Sequence, residues 1–342
     1  MRKINIPIFV SHMGCMHACV FCNQKRITGM GGSVTPAQAD EMIQRAVKTI
    51  DKGNAKTEIA FFGGSFTAID IDEQEALLKV ANKYIKSGDV CGIRLSTRPD
   101  CIDEKELALL KKYGVTSIEL GVQSTDSHVL EISRRGHTYD DVVRASRLIK
   151  SWGFELGLQM MLGLPGDTAQ KSLQTARDII SLCPDTARIY PTLVIRDSAL
   201  ADMYERGEYV PLSLDEAVKL CAQIYEMFKK SGIEVLRMGL MASEDLCGGR
   251  GIIAGPFHPS FGELVLSKIF LKREKMMIEE HMAEKNCGGE VLFLVNPRDL
   301  SKAVGNRRKN IIALESEYNV KIEIKCGENV ERGKILWYNK KE

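Results

Sequence analysis

Strands that alternate with helices, and glycine-bearing turns that follow those strands, predict an α/β protein built on a parallel sheet. The 342 residues allow one large domain and a small one. Hydrophobic residues make up 44% and charged residues 27%. That composition supports a sizeable core and excludes disordered and fibrous classes. About six or seven strand–helix units fit a full or partial TIM-like (βα) barrel, with a doubly wound open sheet as the rival. Either arrangement puts chemistry at the strand C-termini.

The elements follow in order. INIPIFVSH (4–12) is a β-rich run. A helix over 35–52 opens at Thr35-Pro36, an N-cap followed by proline at the first helical position. TEIAFFGG (57–64) is a strand that ends in paired glycines. A helix near 72–87 precedes the strand GIRLSTRPD (92–100), and a helix at 103–113 leads into TSIELGVQS (116–124). The pattern repeats with a helix at 138–151, FELGLQMMLGLPG (154–166), a helix at 168–182 and TARIYPTLV (186–194). A helix at 213–231 and IEVLRMGL (233–240) complete it. Strands joined by helices of about 10–18 residues imply right-handed βαβ units.

Residues 241–262 are glycine-rich and read as a linker or covering loop, followed by a helix over 262–285 and a break at 286–289. EVLFLVNP, DLSKAV, GNRR, KNIIALESEY and VKIEIK then read strand, helix, turn, helix, strand. The domains are therefore 1–240, a connector over 241–289, and 290–342. Residues 290–342 hold 11 basic and 8 acidic residues, whereas the whole chain is only +2. That balance excludes a polybasic coat for nucleic acid but leaves room for a local basic surface. No run of 18 apolar residues exists, so no helix is expected to span a membrane. Ten cysteines without an export signal point to the reducing cytoplasm.

Cys15, Cys19 and Cys22 form C-x3-C-x2-C directly after the first strand, while the other seven cysteines are scattered singly. Three thiolates on one loop can hold three irons of a [4Fe–4S] cluster and leave the fourth iron open. A zinc site with His12 or His17 as fourth ligand is the other reading of the same spacing. Cys247 and His258, two lone ligands in a glycine-rich loop, do not make a second metal site.

This cysteine spacing, with Phe21 before the third cysteine, resembles the signature of the radical S-adenosylmethionine (SAM) superfamily. The resemblance implies a partial barrel of the radical SAM type, a [4Fe–4S] cluster and SAM bound to its open iron. One electron from a donor such as a flavodoxin or ferredoxin then cleaves SAM to a 5′-deoxyadenosyl radical. Several residues take roles from it. Gly63, Gly64 and Ser65, in FFGGSF, would bind the SAM amine through their backbone. Ser96 falls where many relatives place a carboxylate on the ribose, and Arg135 would pair with the SAM carboxylate. Gln123 and Gln159 would face the ligand from their strands.

TRPD (97–100), RRGHT (134–138), IYPTLVIRDSAL (189–200) and YERGEY (204–209) resemble the Elongator-like branch, which modifies tRNA. Arg98, Arg188, Tyr190 and Arg196 would line the barrel mouth for a phosphate and a stacked base. No acetyl-CoA pyrophosphate loop is visible after residue 240, so acetyl-CoA chemistry is not carried over. Residues 290–342 resemble a KH module, a small α/β domain that clamps RNA at a GxxG turn. Here the turn reads Gly305, Asn306, Arg307, Arg308, and Arg307, Arg308 and Lys309 would contact phosphate. The expected activity is radical modification of a base in tRNA or rRNA. The alternatives are a radical SAM enzyme acting on a small metabolite such as a tetrapyrrole, and an RNA-binding regulator with a structural or redox-sensing cluster.

Overall fold

The computed structural model describes residues 2–10, 18–23, 34–50, 55–240, 251–284 and 289–338. His12, Cys15, His17, Cys247 and Cys287 lie outside them. The described residues divide into two compact units, 1–217 with 224–259 and 218–223 with 260–342.

The larger unit carries seven parallel strands: β1 (Arg2–Phe9), β2 (Ala55–Phe62), β3 (Gly92–Thr97), β4 (Val115–Gln123), β5 (Glu155–Leu162), β6 (Thr186–Pro191) and β8 (Glu234–Met238). Their order in the sheet is β1-β2-β3-β4-β5-β6-β8. A doubly wound sheet reverses its strand order part-way across. This one never reverses, so each crossover adds the next strand on the same side and the sheet curls into a half-barrel. The crossover helices are α1 (Pro36–Thr49), α2 (Ile71–Lys86), α3 (Glu104–Lys112), α5 (Tyr139–Ser151), α6 (Ala169–Ser181) and α8 (Leu214–Lys230). Thr35 caps α1, accepting from the Gln38 N–H at 3.3 Å with Pro36 in the first turn. Thr138 and Ser213 close similar capping boxes on α5 and α8.

Three elements go beyond the sequence pattern. A six-residue helix, α4 (Ser127–Ile132), follows β4. A two-stranded antiparallel pair joins β7 (Val194–Ile195), which leads into α7 (Ala199–Glu205), to β9 (Ile252–Ala254). Its partners are far apart in the chain, so no local periodicity announces it. A last strand, β12 (Ile335–Tyr338), completes the second sheet.

Register sorts the strand residues onto two faces. Ile8, Ile59, Phe61, Ile93, Leu95, Ile118, Leu120, Leu156, Leu158 and Ile189 are almost wholly buried and share the face that carries the crossover helices. The alternate residues, Glu58, Arg94, Ser96, Glu119, Gln159 and Arg188, share the concave face. A closed eight-stranded barrel packs its interior with branched side chains. Here the concave face is polar.

In the smaller unit, α9 (Phe261–Glu284), β10 (Glu290–Val295), α10 (Leu300–Val304), α11 (Lys309–Tyr318) and β11 (Lys321–Cys326) precede β12. The sheet order is β11-β10-β12, with β10 parallel to β11 and antiparallel to β12. Ile278, Val291, Phe293, Ile311, Leu314, Val320 and Ile322 form one apolar core. Among the described residues no helix is long and apolar enough to cross a membrane.

Candidate active site at the strand C-termini

Parallel pairing brings the ends of β1 to β6 to one rim. The loop after β1 returns to that rim with Cys19, buried, and Cys22, half-buried. Backbone bonds hold this loop: Val20 N–H donates to Ser133 O at 3.2 Å and Leu200 N–H to Val20 O at 2.7 Å. Phe21 joins Val20, Val194, Leu200 and Tyr209 in an apolar cluster beneath it. The Asn23 side chain donates to the carbonyls of Arg196 and Asp197 at 3.0 and 3.1 Å, placing exposed Arg196 beside the cysteine loop.

The turn after β2 lies next along the rim. Gly63 has φ +90°, a left-handed value that favours glycine. Buried Ser65 meets Thr97 Oγ1 at 2.9 Å, and its hydroxyl accepts from Arg98 N–H at 3.2 Å. The turn is thereby pinned to the end of β3. Arg98 is 4% exposed and its Nε and Nη2 both bond Asp100, at 2.9 and 2.8 Å.

At the end of β4, a register shift between Gly121 and Gln123 leaves Gln123 at φ +66°. Arg135, after α4, donates from Nη2 to Gly121 O at 2.7 Å and from Nη1 to Cys19 Sγ at 3.5 Å. A Cβ on Gly121 would stand 2.7 Å from that Nη2 and 2.9 Å from Gln123 Nε2, so a larger residue there would displace the ends of both side chains. His137 Nε2 bonds Val122 O at 3.2 Å, which assigns the proton to Nε2 and makes Nδ1 an acceptor. Burial, reinforced by Arg135 and Arg98, pushes the His137 imidazole down to about 3, so it is neutral at physiological pH.

Several groups here lack partners among the described residues: Gln123 Oε1, Ser133 Oγ, Arg135 Nε and His137 Nδ1. Buried polar groups are normally satisfied. Four orphans within fifteen residues of chain, beside a cysteine loop and a glycine turn, fit a polar ligand with both donors and acceptors. SAM has that chemistry, with an amine, a carboxylate and a ribose. The thiolates of Cys19 and Cys22, with Cys15 outside the described residues, suit soft iron in the same place.

Deeper on the concave face lies a residue the sequence reading missed. Glu119, 1% exposed, accepts from Arg188 Nε (2.6 Å), Arg188 Nη2 (3.0 Å), Arg94 Nη1 (3.3 Å) and Gln159 Nε2 (3.0 Å). Arg94 also reaches Glu58 and Glu155. Gln159 bridges Glu119 to Ser96 Oγ at 3.4 Å. Arg188 Nη1 donates to the Tyr190 hydroxyl at 3.3 Å, and its guanidinium lies 5.0 Å from the Phe62 ring centroid. Ser96, Gln159 and Tyr190 thus come together on the concave face, while Arg98 and Arg188 are each held bidentately by a carboxylate. The alternation Glu119-Leu120-Gly121 carried a signal for Glu119, since a carboxylate among apolar strand residues needs cationic partners.

The turn Gly305–Arg308 belongs to the smaller unit. Arg307 and Arg308 have φ of +53° and +60° and, with Lys309, are exposed. Gly305 is required, because a Cβ there would meet Asn310 at 2.8 Å. Asn310 in turn bonds the carbonyls of Ser267, Lys302 and Ala303.

Known proteins resemble the chain over much of its length. Residues 10–179 match the model described as "Radical SAM superfamily" and residues 184–270 the "Radical_SAM C-terminal domain". A tRNA uridine(34) acetyltransferase of Methanocaldococcus jannaschii is 31% identical over 195 residues, covering 51% of this chain and 36% of that protein. Human Elongator complex protein 3 is 34% identical over 189 residues, covering 49% of this chain and 35% of its own length. The chain thus spans little more than a third of these relatives. In structure, an N-terminally truncated Elp3 of Methanocaldococcus infernus superposes with a TM-score of 0.63 at 24% identity, covering 80% of this chain and 63% of that one. The chain belongs to the radical SAM superfamily, an enzyme family that works with a [4Fe–4S] cluster and S-adenosylmethionine.

Proposed function

We propose that this radical SAM enzyme modifies a base of tRNA. The observation that carries the reading is the match of about half the chain to tRNA uridine(34) acetyltransferases at about 30% identity. Those relatives are matched over about a third of their length, so the modification itself is not carried over from their names. When bound, the cluster supplies one electron and SAM the organic radical that this electron releases.

The chain's own residues take the remaining tasks. Cys15, Cys19 and Cys22 hold three irons. The backbone of Gly63, Gly64 and Ser65 takes the SAM amine. Arg135, with an unused Nε, takes the SAM carboxylate. Gln123 offers Oε1 to the ligand, and Ser96 and Gln159 meet its ribose or base from the concave face. Tyr190, fixed by Arg188, offers a ring for the target base.

The smaller unit presents the RNA, a KH-like role supported by its strand–helix–turn–helix–strand order and the exposed Arg307, Arg308 and Lys309. A flavodoxin- or ferredoxin-like donor supplies the electron. Mass spectrometry of tRNA nucleosides from cells with and without the protein tests this. One modified nucleoside should disappear with the gene and return on complementation, but not with Cys19→Ala. An unchanged nucleoside profile overturns the tRNA reading.

A further inference from the structure

We propose that Arg237 is a substrate-binding residue that takes an RNA phosphate inside the half-barrel. The inference rests on the RNA reading above and deepens it.

The sequence alone places Arg237 on the wrong face. In a regular strand Val235 and Arg237 point the same way. Val235 pairs with Ala187, which is 1% exposed on the helix-covered face. Strict alternation would turn Arg237 toward the helices. The register instead shifts between Ala187 and Arg188, leaving Leu236 as the extra residue. Arg237 then lies opposite Arg188, on the concave face, and Met238 opposite buried Ile189. A bulge that re-aims one side chain is a recurrent device beside functional sites.

The charges around it give the bulge a purpose. On the concave face Arg94 is bonded to three carboxylates and Arg188 to Glu119. Arg98, at the rim, is bonded to Asp100. Half-buried Arg237 has no such carboxylate among the described residues. Two guanidiniums side by side repel unless one is neutralised, and Glu119 neutralises Arg188. With Glu119 bonded to Arg188, Arg237 is the guanidinium of this pair that no carboxylate holds among the described residues. Its fork-shaped donors suit a phosphate, and the aromatic rings of Phe62 and Tyr190 flank Arg188 on the same face for the attached nucleotide.

Fluorescence anisotropy with the full-length protein and a short uridine-containing single-stranded RNA tests the assignment across salt concentrations. Arg237→Gln should weaken binding about five- to tenfold and reduce the salt slope by about 0.7, the value for one single-strand phosphate. Arg237→Lys should keep the slope, which guards against a folding defect. The same RNA with single methylphosphonate linkages should lose affinity at one linkage for the native protein, and no further affinity there for Arg237→Gln. Native affinity and slope in Arg237→Gln would overturn the assignment while leaving the RNA reading in place. If the native protein binds no RNA at low salt, the RNA reading falls and the assignment with it.

Discussion

The two faces of the seven-stranded sheet follow opposite rules. Beneath the helices, Ile8, Phe61, Leu95, Leu120 and Ile189 are fully buried hydrocarbons. Across the same strands, Glu58, Arg94, Glu119, Gln159 and Arg188 form a charged and hydrogen-bonded layer. The sheet does not close among the described residues, so its concave face has no opposing wall to fill it with apolar side chains. One face supplies stability through area removed from water. The other holds donors and acceptors at fixed positions for a ligand, and needs every buried charge partnered.

The largest expected effect breaks the helix-covered face. Phe61 is fully buried and its ring centroid lies 4.9 Å from that of Phe66. Phe61→Ala should cost about 3–5 kcal/mol in urea unfolding. The salt slope of RNA binding should not change, because no recognition group is touched. A loss under 1 kcal/mol would show that this face is not a packed core.

Glu119→Gln attacks the concave face and should cost about 3 kcal/mol. Arg94 keeps Glu58 and Glu155, but Arg188 loses the one carboxylate that holds it among the described residues. Arg188→Met in the same chain should restore most of the loss, a coupling readable in a double-mutant cycle. Strict additivity of the two changes would contradict the ion-pair account.

Glu274, in α9, sharpens the contrast between a partnered and an unpartnered carboxyl. It is 0% exposed, and both its oxygens lack a partner among the described residues. Burial pushes its carboxyl from the ordinary 4.5 up to about 8. The folded state therefore keeps a proton that the unfolded chain releases near pH 4.5. Stability from this group is fully present below about 4.5 and is lost as pH rises toward about 8. The loss is roughly 3 kcal/mol by pH 7. Glu274→Gln should match the native protein at pH 4.5 and exceed it at pH 8 in thermal unfolding. Parallel stability–pH curves for the two would rule out a buried, unpaired carboxyl.

The smallest effect comes from Gly157, opposite Glu119 in the sheet. A Cβ there would stand 2.7 Å from Glu119 Cγ and 3.0 Å from Thr186 Oγ1. Gly157→Ala should cost about 1–3 kcal/mol through overpacking. It should also weaken SAM binding in calorimetry if Gln159, which Glu119 holds, meets the ligand. Unchanged stability would show that the concave layer is not tightly packed.

Much of this protein is legible residue by residue. Thr35-Pro36 opens α1 because a hydroxyl caps free N–H groups and proline fixes a helical φ, both local effects. The parallel class follows from helices long enough to cross over between strands. The cysteine spacing pointed to iron because three thiolates on one loop are close in any fold. Gly63 marked a tight turn for a similar reason, since its φ of +90° is a property of one residue.

Tertiary structure decided what depends on pairing across the chain. Arg188 reads as a free cation in the sequence, yet Glu119, 69 residues away, holds it. Arg135 reaches Cys19 across 116 residues. Strand alternation puts Arg237 on the helix side, and a one-residue register shift moves it to the concave side. Local propensity specifies which residues form a strand. Which face each residue occupies, and which charge meets which, are set by long-range register, because a slip of one residue reverses every side chain beyond it.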